Sequence, residues 1–403
     1  MSDPRRTAVI VGGVRTPIGR FLGGLAPLPA PQLAGLTIRT VLDRAGVDPA
    51  DIDDVILGNV VSAGIGQAPA RQAAMAGGLP DTVGAMAISR VCGSGLQAVM
   101  LAAQAIRAGD ARVLVAGGME SMSNAPYYLM GYRQGVKFGT QSLVDGLIHD
   151  GLWCAFGDCH MGGHAEYTAW KAGITREDAD RFSLASHQKA IAAIDGGRFR
   201  EEIAPVVIEG RKGATTVDTD EPPRRETSLE SLAKLKPAFP SDAPKEVTNL
   251  VVTAGNAPGL NDGAAALVVT SEEYARVHGL PIMARINAYA NGAVAPRDLF
   301  FAPVRAVRRL MEKEGRRIGD YGLIEANEAF AVQALADGRE LGWDWERVNV
   351  NGGAVALGHP IGASGARVLV TLLYALKQRD QETGLATLCL GGGDAVALSV
   401  ERV

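Results

Sequence analysis

The sequence predicts an α/β protein made of two similarly organised halves. Short buried strands alternate with amphipathic helices near both ends of the chain, a pattern typical of a sheet with helices on both faces. Each half places a cysteine beside glycine after a predicted strand, at Cys92 and at Cys389. With 403 residues the chain is also too long for one compact core. Together these observations indicate an internal duplication.

The first half is predicted from apolar runs and their spacing. Buried strands are expected over residues 7–11, 54–60 and 112–118, and a helix over 31–45. Another helix follows Cys92, because apolar residues recur there every three or four positions, at Leu96, Val99, Met100, Ala103 and Ile106. The first half therefore alternates strand and helix.

Strand signals are sparse from about residue 122 to 260. We interpret this stretch as a large segment, or lid, inserted in the first half. Helices are expected there over 176–194 and 230–235. Pro222-Pro223 favours an extended path through 211–226. A buried strand is expected again at 263–269.

The last part of the chain repeats the first in outline. Helices are expected over 303–313 and 363–377, and strands on both sides of the glycine run that follows Cys389. This agreement in layout is the basis for predicting a duplicated α/β fold.

Composition restricts the class of protein. The net charge is −4 and no basic block stands out, so a nucleic-acid partner is not expected. No apolar run approaches the length of a membrane span, and the apolar stretch near the N-terminus is too short for a signal peptide. We therefore expect a cytoplasmic protein without membrane association.

The four cysteines, Cys92, Cys154, Cys159 and Cys389, contain no Cys-x-x-Cys pair. Neither a zinc ribbon nor a disulfide framework is therefore predicted, and a reducing compartment fits the sequence. Cys159-His160 lacks further ligands nearby, so no metal site is expected.

Cys92 lies just before a predicted helix N-terminus, followed by Gly93, Ser94 and Gly95. Unpaired backbone N–H groups and the helix macrodipole favour an anion there, which lowers the pKa of a thiol. Gly93 and Gly95 would let a substrate carbonyl approach the backbone closely. The alternative is that Cys92 is one more buried structural cysteine. This stretch by itself leaves both interpretations open.

His359 lies between Gly358 and Pro360 in a glycine-rich loop that leads into a helix. A lone histidine is often structural, but this loop offers little apolar bulk to pack against the ring. A cysteine nucleophile needs a neighbouring base, usually histidine, so His359 is the candidate partner of Cys92. Of the other histidines only His160, followed by Met161-Gly162-Gly163, has a comparable setting.

Four strings together resemble the thiolase family of acyl-CoA C-acyltransferases. They are the segment around Cys92, Asn327-Glu328-Ala329-Phe330, the run 351–365 and Cys389-Leu390-Gly391-Gly392-Gly393. Supporting matches lie at 15–19, 117–123, 253–257 and 261–266, in the family's order. The resemblance covers nearly the whole chain.

The resemblance implies the chemistry of the site. Cys92 would take the acyl group from a thioester, and His359 would deprotonate it. Cys389 would move a proton at the α-carbon of the incoming acetyl-CoA. Asn327 would hold a water that, with His359, stabilises an enolate oxygen, and the backbone N–H groups of Cys92 and Gly391 would form a second oxyanion hole. Thiol-for-thiol exchange at a thioester costs little free energy, which suits a cysteine nucleophile.

The resemblance also implies that coenzyme A and acyl-CoA are substrates, with no tightly bound cofactor and no metal. The lid would cover the coenzyme A tail. The residues implied to contact the substrate are His160, Met161, Arg224, Arg225, Ser231, Ala257, Pro258, Leu299 and Phe330. For Arg224 and Arg225 a solvated charged face is an equal alternative.

The chain departs from the family's pattern at three places. Pro258 stands where many thiolases have serine near the pantetheine arm, which removes a hydroxyl and an N–H. Leu299, Phe300 and Phe301 replace a methionine and a glycine-containing run, which changes the bulk and shape of the acyl pocket. Asp394 follows the last glycines and is expected to raise the pKa of Cys389 by like-charge repulsion.

The implied fold has two βαβαβ-type halves stacked as helix–sheet–helix–sheet–helix layers, in a homodimer or homotetramer. We expect residues 1–121 with 262–283 to form the first half, 122–261 the inserted loop domain and 284–403 the second half. The implied activity is reversible Claisen condensation and thiolytic cleavage of 3-ketoacyl-CoA through an acyl-cysteine, with short chains favoured.

Three alternatives stay open on the sequence. The first is a long-chain 3-ketoacyl-CoA thiolase of β-oxidation, because one active site runs the reaction in both directions. A decarboxylating enzyme of the ketoacyl synthase type would carry histidine or asparagine in place of Cys389. A non-catalytic acyl-CoA- or sterol-binding relative would not need Cys92, Asn327, His359 and Cys389 together.

Overall fold

A mixed β-sheet organises the chain in the computed structural model, which describes residues 3–211 and 213–403. The strands are β1 (Ala8–Arg15), β2 (Gly19–Arg20), β3 (Asp54–Gly58), β4 (Gly84–Ile88), β5 (Val113–Ser121), β6 (Tyr127–Tyr128), β7 (Val144–Asp145), β8 (Trp153–Cys154), β9 (Cys159–His160), β10 (Val206–Ile208), β11 (Thr215–Val217), β12 (Asn261–Ser271), β13 (Ala284–Ala293), β14 (Leu323–Ala326), β15 (Thr383–Leu390) and β16 (Asp394–Arg402). In the large sheet the strands run in the order β14-β15-β16-β13-β1-β12-β5-β3-β4, and β2 pairs with β12.

Helices cover both faces of this sheet. They are α1 (Ala30–Ala45), α2 (Pro69–Ala76), α3 (Ser94–Ala108), α4 (Met161–Ala172), α5 (Arg176–Asp195), α6 (Leu229–Ala233), α7 (Glu272–Val277), α8 (Ala302–Glu314), α9 (Ala331–Leu341), α10 (Ala354–Leu357) and α11 (Ile361–Gln378). None of the helices in the described part of the chain is long and apolar enough to cross a membrane.

The sheet has two halves that meet where β1 pairs with β13. The first half contains β4, β3, β5, β12 and β1, and the second contains β13, β16, β15 and β14. Between the described strands of the two halves, pairing covers a short stretch, where Val9 pairs with Arg285 and Ile10 with Ala284. The sheet can therefore fold back on itself with helices between its halves.

The layers follow from which helix packs on which face. Helices α3 and α11 share one apolar core with both half-sheets and so lie between them. Helices α1 and α2 cover the outer face of the first half, and α8 covers the outer face of the second. This is the five-layer helix–sheet–helix–sheet–helix fold that the sequence predicts.

The two central helices touch at glycines. A methyl group on Gly95 would lie 2.6 Å from the backbone nitrogen of Ala366, and one on Gly365 would collide with the backbone of Leu96. Only glycine permits this approach. The contact brings together the N-terminal ends of α3 and α11, and with them the loops that carry Cys92 and His359.

The segment between β5 and β12 contains helices α4 to α6 and short two-stranded ribbons, β6–β7, β8–β9 and β10–β11. Sparse strand structure was expected there, and the helices expected over 176–194 and 230–235 correspond to α5 and α6. Met1, Ser2 and Lys212, which fall within predicted stretches, lie outside the described residues.

Candidate active site

A cavity of about 560 Å³ lies between the two halves of the protein and the segment that joins β5 to β12. Its lining contains most of the residues singled out from the sequence, namely Cys92, His160, Met161, Arg224, Ala257, Pro258, Leu299, Phe330, His359, Cys389 and Gly391. A wider cleft of about 920 Å³ shares Arg224 and Ala257 with it and adds Arg225 and Ser231. The sequence-predicted residues therefore line one continuous cleft, except Asn327, which lies beside His359.

Cys92 is held in a tight turn at the start of α3. Val91 before it has a φ of 46°, an uncommon conformation for a β-branched residue, and Gly93 after it is the N-cap of the helix. A methyl group on Gly93 would collide with Leu390 and lie 2.9 Å from Val396. The expectation that Gly93 and Gly95 leave room for a substrate is therefore wrong. Both glycines let protein pack against the nucleophile loop.

The pKa of Cys92 differs from the sequence-based expectation. Burial raises the pKa of Cys92 to about 12, and the charge of Glu120 adds to the effect. The backbone N–H groups of Gly391 and Cys92 act on the sulfur in the opposite direction but do not compensate. The predicted lowering by the helix N-terminus is wrong, because burial outweighs it. The free thiol is protonated at neutral pH and needs a base to react.

His359 has the hydrogen bonds that such a base needs. Its Nδ1 lies 2.6 Å from the Ser364 hydroxyl oxygen, and this hydroxyl donates its proton to the Pro360 carbonyl at 2.8 Å. Ser364 has no second proton, so it accepts a hydrogen bond from Nδ1–H, and Nε2 carries the lone pair. Burial lowers the pKa of His359 to about 3, and the charge of Arg367 contributes, so the ring is neutral. A neutral imidazole whose Nε2 carries the lone pair can accept a proton as a general base.

Asn327 lies beside this Nε2. Its side-chain nitrogen is 3.5 Å from Nε2, and its backbone N–H donates to the Thr387 carbonyl at 3.0 Å. The Asn327 Oδ1 is buried and makes no hydrogen bond with any described residue. This oxygen is therefore free to accept a hydrogen bond from a substrate or from water.

Cys389 is buried near the C-terminal end of β15, and the turn after it needs glycine. Gly392 and Gly393 have φ angles of 89° and 93°, which side-chain-bearing residues rarely adopt. Burial raises the pKa of Cys389 well above its usual value, and the charges of Cys92 and Asp337 add to this. The sulfurs of Cys92 and Cys389 are therefore electrostatic neighbours.

Asp394 does not have the predicted effect on Cys389. Its carboxylate lies 2.6 Å from the guanidinium of Arg90, which neutralises it, and the charges that act on Cys389 are those of Cys92 and of Asp337 in α9. Arg90 precedes Cys92 by two residues. The ion pair therefore ties the Cys92 loop to the turn that follows Cys389.

Aromatic rings close one side of the cavity. The rings of Phe300 and Phe330 are 5.4 Å apart, those of Phe330 and Phe239 6.3 Å apart, and Phe239 stacks on His160 at 4.5 Å. Leu299 and Phe300 are both buried and line the cavity. The expectation for Phe301 is wrong, since its ring faces a surface groove, with the Lys171 ammonium 5.1 Å away.

Exposed contacts hold the residues that line the wider cleft. Arg225 pairs with Asp195 at 2.6 Å, and the two side chains are 58% and 56% exposed. The Ser231 hydroxyl donates to the Ser228 carbonyl at the start of α6. The backbone N–H of Arg224 donates to His187 Nδ1 at 3.2 Å. Among the described residues no group of three or more histidine, cysteine or acidic side chains is arranged to hold a metal.

Two family models cover this chain. The N-terminal domain of thiolase matches residues 8–273, and the C-terminal domain of thiolase matches residues 280–402. The chain belongs to the thiolase family.

Individual thiolases resemble it along its full length. It is 57% identical over 395 residues to an acetyl-CoA acetyltransferase of Pseudomonas aeruginosa, covering 98% of this chain and 99% of the relative. It is 52% identical over 395 residues to one of Cupriavidus necator, with the same coverage. The crystal structure of the Bacillus anthracis acetyl-CoA acetyltransferase superposes with a TM-score of 0.95 at 42% identity, covering 100% of both chains.

Three residues of this thiolase site carry no role in the sequence analysis. Ser364 sets the His359 tautomer. Asn261 accepts the His359 backbone N–H at 2.8 Å and donates to the Gly19 carbonyl at 2.9 Å. Glu120 accepts from the backbone N–H groups of Val61 and Gly362 and so fixes the start of α11. All three lie inside the matched strings, but the partners of Asn261 and Glu120 are remote in sequence.

Proposed function

We propose that this thiolase is an acetyl-CoA C-acetyltransferase that joins two acetyl-CoA molecules into acetoacetyl-CoA and cleaves that product with coenzyme A. The observation that carries the proposal is the meeting of Cys92, His359 with its unprotonated Nε2, and Cys389 in one cavity. Relatives at 50% to 57% identity over almost the whole chain are named acetyl-CoA acetyltransferase.

The first half-reaction transfers an acetyl group to Cys92. His359 Nε2 takes the thiol proton, and the sulfur attacks the thioester carbonyl of acetyl-CoA. The backbone N–H groups of Gly391 and Cys92 act on the Cys92 sulfur, which supports them as the donors that stabilise the oxyanion formed next to it. Coenzyme A leaves as a thiol with the proton from His359, and the acetyl group stays on Cys92.

The second half-reaction forms the carbon–carbon bond. His359, neutral again, takes the proton of Cys389. The Cys389 thiolate then removes a proton from the α-carbon of a second acetyl-CoA, and the enolate oxygen lies at His359 and Asn327. Support for this placement is that the Asn327 side chain adjoins His359 Nε2 and keeps an unused Oδ1. The enolate carbon attacks the acetyl carbonyl, and Cys92 leaves as a thiolate that takes the proton held by His359.

The wall of the acyl cavity supports a preference for short chains. Phe300 and Phe330 pack edge to face beside Leu299. Because all three side chains are buried, they form a packed wall that closes the cavity on that side. A long acyl chain would need this wall to move. Pro258, which also lines the cavity, offers no hydroxyl or N–H to the pantetheine arm.

The wider cleft is the proposed site of the coenzyme A tail, with Arg224, Arg225 and Ser231 along it. Coenzyme A is then a substrate, and no tightly bound cofactor takes part. The proposed organisation is a first half of residues 1–121 with 262–283, a loop domain of 122–261 and a second half of 284–403.

A homodimer or homotetramer in the cytoplasm completes the proposal. Strand β4 lies at an edge of the large sheet and is uncharged, with Met86 44% exposed. Tyr132, Phe138 and Leu143 are also exposed in the segment after β5. Such surfaces favour self-association. Light scattering of the purified protein checks the oligomeric state.

The test of the function is thiolysis of a series of 3-ketoacyl-CoAs, from acetoacetyl-CoA to long-chain substrates, by the wild-type protein and by Cys92→Ala. Activity confined to the short end supports the proposal. Activity that rises with chain length replaces it with the β-oxidation alternative. Acyl-CoA binding without Cys92-dependent turnover leaves the non-catalytic relative.

Phe300→Ala makes this test sharper. It removes one ring from the cavity wall, so we expect thiolysis of longer substrates to increase relative to acetoacetyl-CoA. Phe301→Ala is the matched control, because that ring faces the surface groove, and its chain-length profile should equal that of the wild type.

A further inference from the structure

Cys154 and Cys159, the cysteines that the reaction does not use, face each other across a tight hairpin. In the ribbon β8–β9, Trp153 pairs with His160 and Cys154 pairs with Cys159. Side chains directly opposite in such a ribbon have Cβ atoms about 4.5–5.5 Å apart, and a disulfide spans about 3.5–4.5 Å between Cβ atoms. A small closing movement of the hairpin brings the two sulfurs to bonding distance.

His164 places a base at this pair. It is 5% exposed, and its Nε2 has no hydrogen-bond partner among the described residues. A methyl group on Gly157 would lie 3.0 Å from His164 Nε2 and 3.3 Å from Cys159 Sγ, so both atoms border the same small gap. Burial lowers the pKa of His164, which keeps the ring neutral and able to accept a proton at neutral pH.

The hairpin separates two cavities. Cys159 and His164 line a second cavity of about 520 Å³, which gives a small reagent access to this side. Cys154 lines the active-site cavity, and its Sγ accepts a hydrogen bond from the Gly157 N–H at 3.3 Å. Phe156, in the turn between the cysteines, lines both cavities. Each of the two cysteines therefore lines a cavity.

We propose that Cys154 and Cys159 form an oxidation site at which hydrogen peroxide makes an intramolecular disulfide, with His164 as the base. His164 takes the Cys159 proton, and the thiolate attacks one peroxide oxygen. The O–O bond breaks, Cys159 becomes a sulfenic acid, and the departing hydroxide takes the proton from His164 to form water. Cys154 then attacks the Cys159 sulfur, and its proton leaves with the sulfenic oxygen as a second water. Two thiols and one peroxide give one disulfide and two waters.

His164 is needed because the thiol does not ionise readily by itself. Burial raises the pKa of Cys159, and the charges of Cys154, Asp242 and Asp158 add to this. The thiolate is the species that reacts with peroxide. A base beside the sulfur therefore decides how fast Cys159 reacts.

The disulfide fixes a turn that contacts the active site. The Phe156 ring lies 3.3 Å from the position that a methyl group on Gly392 would take, and Gly392 belongs to the glycine turn after Cys389. The site does not depend on the proposed acetyltransferase activity, because its chemistry uses none of the groups assigned to that reaction.

The test is peptide mapping by mass spectrometry of the full-length protein treated with hydrogen peroxide. We expect one peptide pair linked through Cys154 and Cys159, lighter by two hydrogen atoms and restored by dithiothreitol. In Cys154→Ser the sulfenic acid of Cys159 should be trapped by dimedone, and in Cys159→Ser no disulfide should form at Cys154. Circular dichroism of both variants confirms that they are folded.

His164→Gln tests the base. We expect it to slow disulfide formation at neutral pH by about tenfold. This corresponds to a tenfold smaller population of the Cys159 thiolate, the change that one unit of thiol pKa produces. Oxidation that falls on Cys92 or Cys389 while Cys154 and Cys159 stay reduced would overturn the proposal. An unchanged rate in His164→Gln would remove His164 from it.

Discussion

The inner and outer ends of the cleft are built on different physical principles. At the inner end, His359 and Cys389 are buried, and each is oriented by buried hydrogen bonds or a glycine turn. At the outer end, Arg225 is paired with Asp195 in the solvent. Preorganised buried groups contribute far more to a reaction than exposed charges, which water and salt screen. Mutations should therefore have large effects at the inner end and small effects at the outer end.

Cys92→Ala should have the largest effect, because it removes the atom that carries the acyl group. We expect kcat for acetoacetyl-CoA thiolysis to fall by about 10,000-fold or more. Cys159→Ser is the matched control, since that thiol lies outside the active-site cavity, and its kcat should stay near the wild-type value. Turnover by Cys92→Ala within tenfold of wild type would contradict the assigned nucleophile.

Cys389→Ala should separate the two cysteines. We expect condensation to fall by about 1,000-fold, the usual scale of acid–base catalysis. Transfer of an acetyl group from acetyl-CoA to Cys92 should survive, because that step uses His359. Intact-protein mass spectrometry after incubation with acetyl-CoA measures the acetylated fraction. If both steps fail together in a folded variant, the division of roles between the cysteines is wrong.

The sequence predicts the fold well where the apolar pattern is strong, and less well elsewhere. The strands β1, β5 and β12 and the helices α5 and α11 lie close to their predicted positions. Strand β13 is absent from the prediction, because Ala284–Ala293 is rich in alanine, asparagine and glycine, which disfavour strands. It forms a strand because it pairs with β16 along its length and with β1. That pairing is tertiary, so no local pattern reveals it.

The candidate site also divides into features that the sequence predicts and features that it does not. The sequence singles out Cys92, His359 and Cys389, which line one cavity in the structure, because they stand in distinctive glycine-rich strings. It does not predict the pKa of Cys92, because burial depends on parts of the chain that are distant in sequence. The partner of Asp394 is Arg90, roughly three hundred residues away along the chain. Contacts of this kind decide the electrostatics and are set only by the fold.

The reactivity of Cys92 towards iodoacetamide tests the burial of the inner end. Since burial raises the pKa of Cys92 to about 12, the thiolate population grows with pH well beyond the range of an exposed thiol. We expect the alkylation rate at Cys92 to rise about tenfold per pH unit between about pH 7 and 9 without levelling off. His359 stays neutral throughout, since its pKa is about 3.

Peptide mapping assigns this alkylation to Cys92, with Cys92→Ala as the blank. A rate that levels off below pH 8 would mean that the helix N-terminus, and not burial, controls the thiol. That result would restore the expectation drawn from the sequence.

Arg225→Ala should have the smallest effect. Its guanidinium is exposed and already paired with Asp195, so a contact with a phosphate of coenzyme A would add little binding free energy. We expect KM for coenzyme A to rise about threefold at low salt, with kcat unchanged and the difference lost at high salt.

Arg181→Ala is the matched control. It removes a similar exposed pair, with Glu177 on the same helix, away from the cleft, and should leave KM unchanged. If the two variants behave alike, Arg225 belongs to a solvated face, and coenzyme A is held by other groups of the cleft. A rise far above tenfold that resists salt would instead mean that the outer end is as preorganised as the inner end, because only a desolvated contact escapes screening.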